Sequence, residues 1–142
     1  MTIARLIAGR DPTIVSCDAA ASVRDAVALL SEKRIGALPV LDNGEVAGIF
    51  SERDVLNELH KHGPAMLDLR VADVMTSPPV TVEPETAVLS ALSLMTRRRI
   101  RHLPVMKDGR MVGFISIGDL VKHRMDGIAS EAEALRSYIQ SA

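Results

Sequence analysis

Two serine–aspartate pairs share one spacing: Ser51-Glu52-Arg53-Asp54 and Ser116-Ile117-Gly118-Asp119. A serine three residues before an acid is the sequence form of a helix N-cap with a carboxylate in the first turn, and a helix N-terminus favours an anion. The cluster Arg97-Arg98-Arg99, with Arg101-His102 behind it, offers forked donors that match phosphate. The same charges also suit a solvated helix end, where they complement the helix C-terminus. Other candidates carry less. His60-x-His62 lies in a Gly-Pro loop without a cysteine or acid at ligand spacing, so it reads as a surface loop rather than a metal site. Gly113-x-x-Ser116-x-Gly118 is not the Gly-x-Ser-x-Gly of a hydrolase elbow. No nucleophile–base pair and no metal set emerges, so no enzyme and no catalytic cofactor is expected.

The elements that position the two pairs are written twice. Leu38-Pro39-Val40, Gly44, Gly48, Ser51 and Asp54 recur as Leu103-Pro104-Val105, Gly109, Gly113, Ser116 and Asp119, all at an offset of 65. Asn43-Gly44 and Asp108-Gly109 tolerate the positive φ of a two-residue hairpin turn. The flanking runs, Leu38 to Leu41 and Val46 to Phe50, are apolar and β-prone. Upstream of them, Ile14–Cys17 and Val80–Val82 predict short strands. Ser22 then caps a helix whose Val23, Ala26, Val27 and Leu30 share one face, matched by a helix from about Thr86 to Arg98. A helix over Glu52–Leu59 is expected to turn Val55, Leu56 and Leu59 inward, and Val71–Thr76 reads as a short helix. From 15–57 to 80–122, 13 of 43 positions are identical without a gap, which decides for duplication. The repeats divide the chain into 1–62 and 63–125. In the remainder, 126–142, Ile128, Ala132, Leu135 and Ile139 form a helical stripe that must lie against the domain or a second subunit.

Composition narrows the function. A formal net charge of −1, two Phe, one Tyr and no Trp argue against bulk attraction to nucleic acid or membrane and leave few rings for base stacking. Cys17 is the only cysteine. It reads as a small hydrophobe on a core strand, and its isolation suits a reducing compartment. The N-terminus lacks the form of a signal peptide, no apolar run reaches the ~20 residues a bilayer needs, and the cytoplasm is the expected location. A repeat of this size alone buries only about 60% of its unfolded surface, so the two copies are expected to share a core.

Strand, helix, hairpin and helix written twice, with Leu-Pro-Val, a glycine turn, Gly-x-x-Ser-x-x-Asp and Val74-Met75-Thr76-Ser77-Pro78 at the seam, resemble the CBS domain family. The whole resembles a stand-alone tandem CBS pair, or Bateman module, over about residues 3–125. The resemblance implies an α+β fold of two β-α-β-β-α repeats related by pseudo-two-fold symmetry, sheets packed together, helices outside and two clefts between. It also implies adenine nucleotides or adenosyl compounds in those clefts, with the Asp on the ribose hydroxyls and the Ser beside the ribose or α-phosphate. An ionised Asp only accepts, which suits a vicinal diol.

Carried onto this chain, one cleft combines Ile49, Ser51, Arg53 and Asp54 with Pro79, Val80, Arg101 and His102. The other combines Phe114, Ser116 and Asp119 with Ile14, Val15, Gly36 and Ala37. Arg53, Arg101 and His102 then give the first cleft the more highly charged phosphate. The implied function is a non-catalytic sensor of AMP, ATP, ADP or NAD(H). It is expected to form a homodimer and to be read by an unidentified downstream protein. The alternatives are an S-adenosylmethionine sensor, a constitutive interaction scaffold with vestigial clefts and, least supported, a nucleic-acid binder using Arg97–Arg101.

Overall fold

Both hairpins close on the left-handed pair their turns require: φ is 51° and 82° at Asn43 and Gly44, and 51° and 77° at Asp108 and Gly109. The computed structural model describes residues 1–141. The first repeat comprises α1 (Ile3–Ile7), β1 (Cys17–Asp18), α2 (Val23–Lys33), β2 (Ala37–Asp42), β3 (Glu45–Ser51) and α3 (Glu52–His62). A 3₁₀ turn (Gly63–Asp68) and α4 (Val71–Val74) lead into the second, formed by α5 (Val88–Arg98), β4 (His102–Lys107), β5 (Arg110–Ser116) and α6 (Ile117–Ser141). The fold is α+β, as expected.

The pleat is equivalent in the two hairpins. Pro39 stands opposite Ile49 and Pro104 opposite Phe114. The outer strands are shorter than expected. β1 keeps two residues, parallel to β2. Val80–Val82 contributes only a parallel bridge from Val82 to Val105. Pro78, Pro79 and Pro84 bracket that segment and cannot donate to a ladder.

The core is not shared in the way that size alone suggests. There are two buried clusters, one per repeat, and each takes a helix from the other repeat's lead-in. Ile3 and Leu6 of α1 pack with Val88, Ala91, Met95, Leu103, Val105, Ile115 and Leu120 of the second repeat. Val71 and Val74 of α4 pack with Val23, Ala26, Leu38, Val40 and Phe50 of the first. Backbone bonds fix the exchange: Val23 N–H donates to Leu69 and Val88 N–H to Met1. The copies are tied by swapped helices.

Two helices leave apolar side chains in water. On α3, Val55 packs against the first core, but Leu56 and Leu59 are exposed, 67% and 45%, contrary to the inward face expected of them. The stripe placed at 126–142 is not a separate element. It continues α6 without a break as far as the described residues go, and Ile128, Leu135 and Ile139 are exposed. Of the two surfaces it could cover, it does not cover this domain.

Candidate functional site

The two serine–aspartate pairs stand where a hairpin strand turns into a helix. At the end of β3, Ser51 Oγ accepts from Asp54 N–H, and Asp54 Oδ2 accepts from Ser51 N–H at 2.9 Å, a reciprocal capping box. At the end of β5, Asp119 Oδ2 accepts from Ser116 N–H at 2.9 Å and Ser116 Oγ accepts from Asp119 N–H at 3.1 Å. Each cap consumes one carboxylate oxygen, so the second oxygen decides what each site can do.

In the first repeat that oxygen meets a neutral neighbour. Asp54 Oδ1 accepts from Thr76 Oγ1 at 3.0 Å. Thr76 and Ile49 also exchange both backbone hydrogen bonds, at 2.9 Å each. The approach is close enough that a Cβ on Gly48 would lie 2.7 Å from the Thr76 carbonyl oxygen. The seam segment therefore lies flat on β3, over Ile49 and Asp54.

In the second repeat the oxygen meets a charge. Asp119 Oδ1 pairs with Arg10 Nη2 at 2.8 Å. Burial pushes the Asp119 carboxyl up, but the Ser116 N–H and the Arg10 guanidinium together hold it below the ordinary carboxylate value. Beside this pair opens a cleft of about 450 Å³, walled by Ile14, Val15, Ile35 and Phe114, with Arg10 at its edge. That size is in the range of small-molecule sites. Behind Phe114 the imidazole of His102 is stacked, with ring centroids 5.6 Å apart. Burial pushes His102 below the ordinary histidine value, against the pull of Asp119 and Glu52 in the other direction. An apolar slot ending in an acid–base pair can hold a flat ring, offer an acceptor to hydroxyls and meet an anion.

Ile14 and Val15 line the second cleft with Phe114, and Ser116 and Asp119 cap each other at the helix start that follows β5. Ile49, Ser51 and Asp54 do stay together, but under Thr76. His102 stands opposite Ser116 on the ladder, and its Cε1 lies 3.5 Å from where a Cβ on Gly36 would stand, so it sits between the two strand-to-helix junctions. Arg101 is exposed, and its carbonyl accepts from Ile117 N–H at the second junction. Gly36 and Ala37 stand at the first junction: Ala37 is opposite Ser51, and Gly36 accepts from Glu52 N–H. The antiparallel ladder ties the segment before Leu-Pro-Val to the Ser-x-x-Asp of its own repeat, while Ile35, next to Gly36, reaches the second cleft. Arg53 donates to the carbonyl of Arg99 at 2.7 Å, closing the end of α5 two residues before Arg101. Pro79 is half-buried, and Val80 packs on the second core.

The sequence reading missed Arg10. It sits in a lead-in that reads only as a turn. Its signal is a difference in length. The helix α4 answers α1 at an offset of 68, as the bonds of Val71 to Ala21 and Ile3 to Thr86 show, whereas the repeats answer each other at 65. Six residues, 8–13, thus follow Ile7 where three, 76–78, follow Met75. The longer connection leaves the second cleft uncovered and carries Arg10 to it.

The model of the CBS domain family matches this chain twice, over residues 10–61 and 71–126. The CBS domain-containing protein CBSX3, mitochondrial, of Arabidopsis thaliana is 42% identical over 129 residues, 87% of this chain and 63% of that protein. The chain thus spans less than two thirds of that relative. A protein with CBS domains from Burkholderia ambifaria MC40-6 superposes with a TM-score of 0.84 at 37% identity, over 89% of this chain and 95% of that one. The structure of CBSX2 in complex with AMP gives a TM-score of 0.73 at 31% identity, over 88% of this chain and 96% of that one.

Proposed function

Because this chain belongs to the CBS domain family and carries two CBS domains in tandem, we propose that it is a non-catalytic sensor taking an adenine nucleotide in its second cleft. The observation that carries this reading is the open cleft of about 450 Å³ between Ile14, Val15 and Phe114, with the Asp119–Arg10 pair at its edge. The adenine packs between the aliphatic wall and Phe114, and Asp119 accepts from the ribose hydroxyls. AMP is the first candidate, followed by ATP, ADP and NAD(H). That CBSX2, a protein of similar fold, is solved with AMP supports the class. The first site serves structure, since Thr76 already holds Asp54.

The sensor acts as a homodimer joined through its exposed helix faces. Ligand binding shifts an equilibrium between two arrangements, which a downstream protein reads. Among the described residues no helix is long and apolar enough to cross a membrane. Burial pushes the Cys17 thiol up to about 11, so it is inert, and a reducing compartment such as the cytoplasm suits it.

The test is a thermal-shift panel with AMP, ADP, ATP, NAD⁺, NADH and S-adenosylmethionine on the unaltered chain, Asp54→Ala and Asp119→Ala. A ligand at 100 times its Kd adds about 2.7 kcal/mol, a rise of several degrees. The reading requires a shift lost in Asp119→Ala and kept in Asp54→Ala. Silence with every compound leaves a constitutive scaffold in its place.

A further inference from the structure

We propose that Arg10 makes the second cleft selective for nucleosides carrying a phosphate, by occupying the ribose acceptor until a phosphate draws it away. This rests on the reading of the cleft as an adenine-nucleotide site. The geometry sets up a competition. Asp119 has two oxygens, and its own helix cap takes Oδ2 through Ser116 N–H. The remaining Oδ1, the one a diol would use, is held by Arg10 at 2.8 Å. A ligand that wants Asp119 must first displace a guanidinium.

What happens next depends on the ligand. An unphosphorylated nucleoside removes Arg10 from Asp119 and offers it no anion, so the charge-assisted pair is lost without replacement. A nucleotide brings a phosphate that accepts the same fork of donors, and the pair is exchanged rather than lost. Arg10 is the only cation among the described residues lining the cleft. The neighbouring Asp11 has its carboxylate on Thr13 N–H at 2.9 Å; its charge repels a phosphate, so among the lining side chains the attraction comes from Arg10.

The side chain has room to change partners. Arg10 is 41% exposed and Asp119 30%. The loop behind it turns at Gly9, at φ 79°, where a Cβ would meet nothing within 4 Å. The first site has no such device, because the residue on Asp54 Oδ1 is the uncharged Thr76. The three extra residues of the first lead-in are what bring a charge to Asp119 in place of a hydroxyl.

The experiment is titration calorimetry of the full chain with AMP and with adenosine, on the unaltered protein, Arg10→Gln and Arg10→Lys. The unaltered chain should prefer AMP. Arg10→Gln should bind AMP about ten- to a hundredfold more weakly, the range of one charged hydrogen bond, and bind adenosine as well as before or better, since Oδ1 is released. Arg10→Lys should keep part of the preference. A second measurement needs no variant: inorganic phosphate, at matched ionic strength against chloride, should strengthen adenosine binding by engaging Arg10. AMP binding with an unchanged preference in Arg10→Gln, or adenosine binding indifferent to phosphate, overturns the role of Arg10 and leaves the cleft assignment standing. Failure of both compounds to bind the unaltered chain overturns the cleft assignment, and this inference with it.

Discussion

The imidazole of His102 lies on the ring of Phe114, with planes 14° from parallel and centroids 5.6 Å apart. Its surroundings tie the stability of the fold to pH. Burial lowers the His102 pKa from 6.5, while Asp119 and Glu52 raise it and Arg101 lowers it further. The unfolded chain therefore binds this proton more readily than the folded one. The stabilising contribution is complete above 6.5 and is lost as the pH falls through 6.5 towards the folded value. Asp119 adds nothing to that window, because its pKa lies below 3.8 and its contribution fades only at lower pH. Urea midpoints should fall between about pH 8 and pH 5, and His102→Phe should flatten that part of the profile. An identical slope in the variant would assign the effect to other groups.

The two strand glycines predict unequal costs. A Cβ on Gly48 would stand 2.7 Å from the Thr76 carbonyl and 2.8 Å from Met75 Sδ. That carbonyl is fixed by its bond to Ile49. On Gly113 the nearest atom is Ile7 Cγ2 at 3.2 Å, a side chain able to shift. Gly48→Ala should cost about 1–3 kcal/mol and Gly113→Ala clearly less. Chemical denaturation of both variants checks this, and equal costs would mean that the seam does not press on β3 as described.

Local chemistry explains what could be read from the sequence. Asn43-Gly44, Asp108-Gly109 and the Ser-x-x-Asp caps specify their own backbone, and turns and caps stand where the residues place them. The repeat was legible for the same reason, since its landmarks keep one offset. What was not legible depends on contacts distant in sequence. Whether Leu56 faces inward is decided by what lies over α3, and helical spacing cannot supply that. Arg53 stands beside Asp54 in sequence yet reaches Arg99 in space. His102 stacks on Phe114 and lies beside Gly36, both far from it in sequence. Arg10 gains its role from a three-residue difference between lead-ins that look alike as turns.

The exchanged helices predict coupled cores. Ile3 belongs to the first lead-in by sequence, but it is fully buried among Val88, Met95 and Leu103 of the second repeat. Ile3→Ala should cost about 2–5 kcal/mol through the cavity it leaves. The loss should appear first at the second repeat. Amide hydrogen exchange should quicken at Leu103, Val105 and Ile115 more than at Leu38, Val40 and Phe50. Equal acceleration in both sheets would show that the chain opens only as one unit and that the swap confers no local control.

The length of α6 makes the last prediction. Met125, Ile128, Leu135 and Ile139 are exposed, with Ala132 between them. Their steps of three and four along one helix make the seam of a two-helix contact. Leaving such a stripe in water forgoes roughly 25 cal/mol for each Å² of apolar surface that a partner helix would cover. A second copy presents the same stripe, and the ion pair of Arg136 with Glu133 on this helix places both signs of charge beside it. Sedimentation equilibrium should therefore give a dimer, and Ile128→Glu combined with Leu135→Glu should give a monomer. The double variant leaves both buried cores untouched, so its circular dichroism should keep the signal of a folded pair. A monomeric unaltered chain would refute the dimer, and a dimeric double variant would move the contact to the exposed Leu56 and Leu59 of α3.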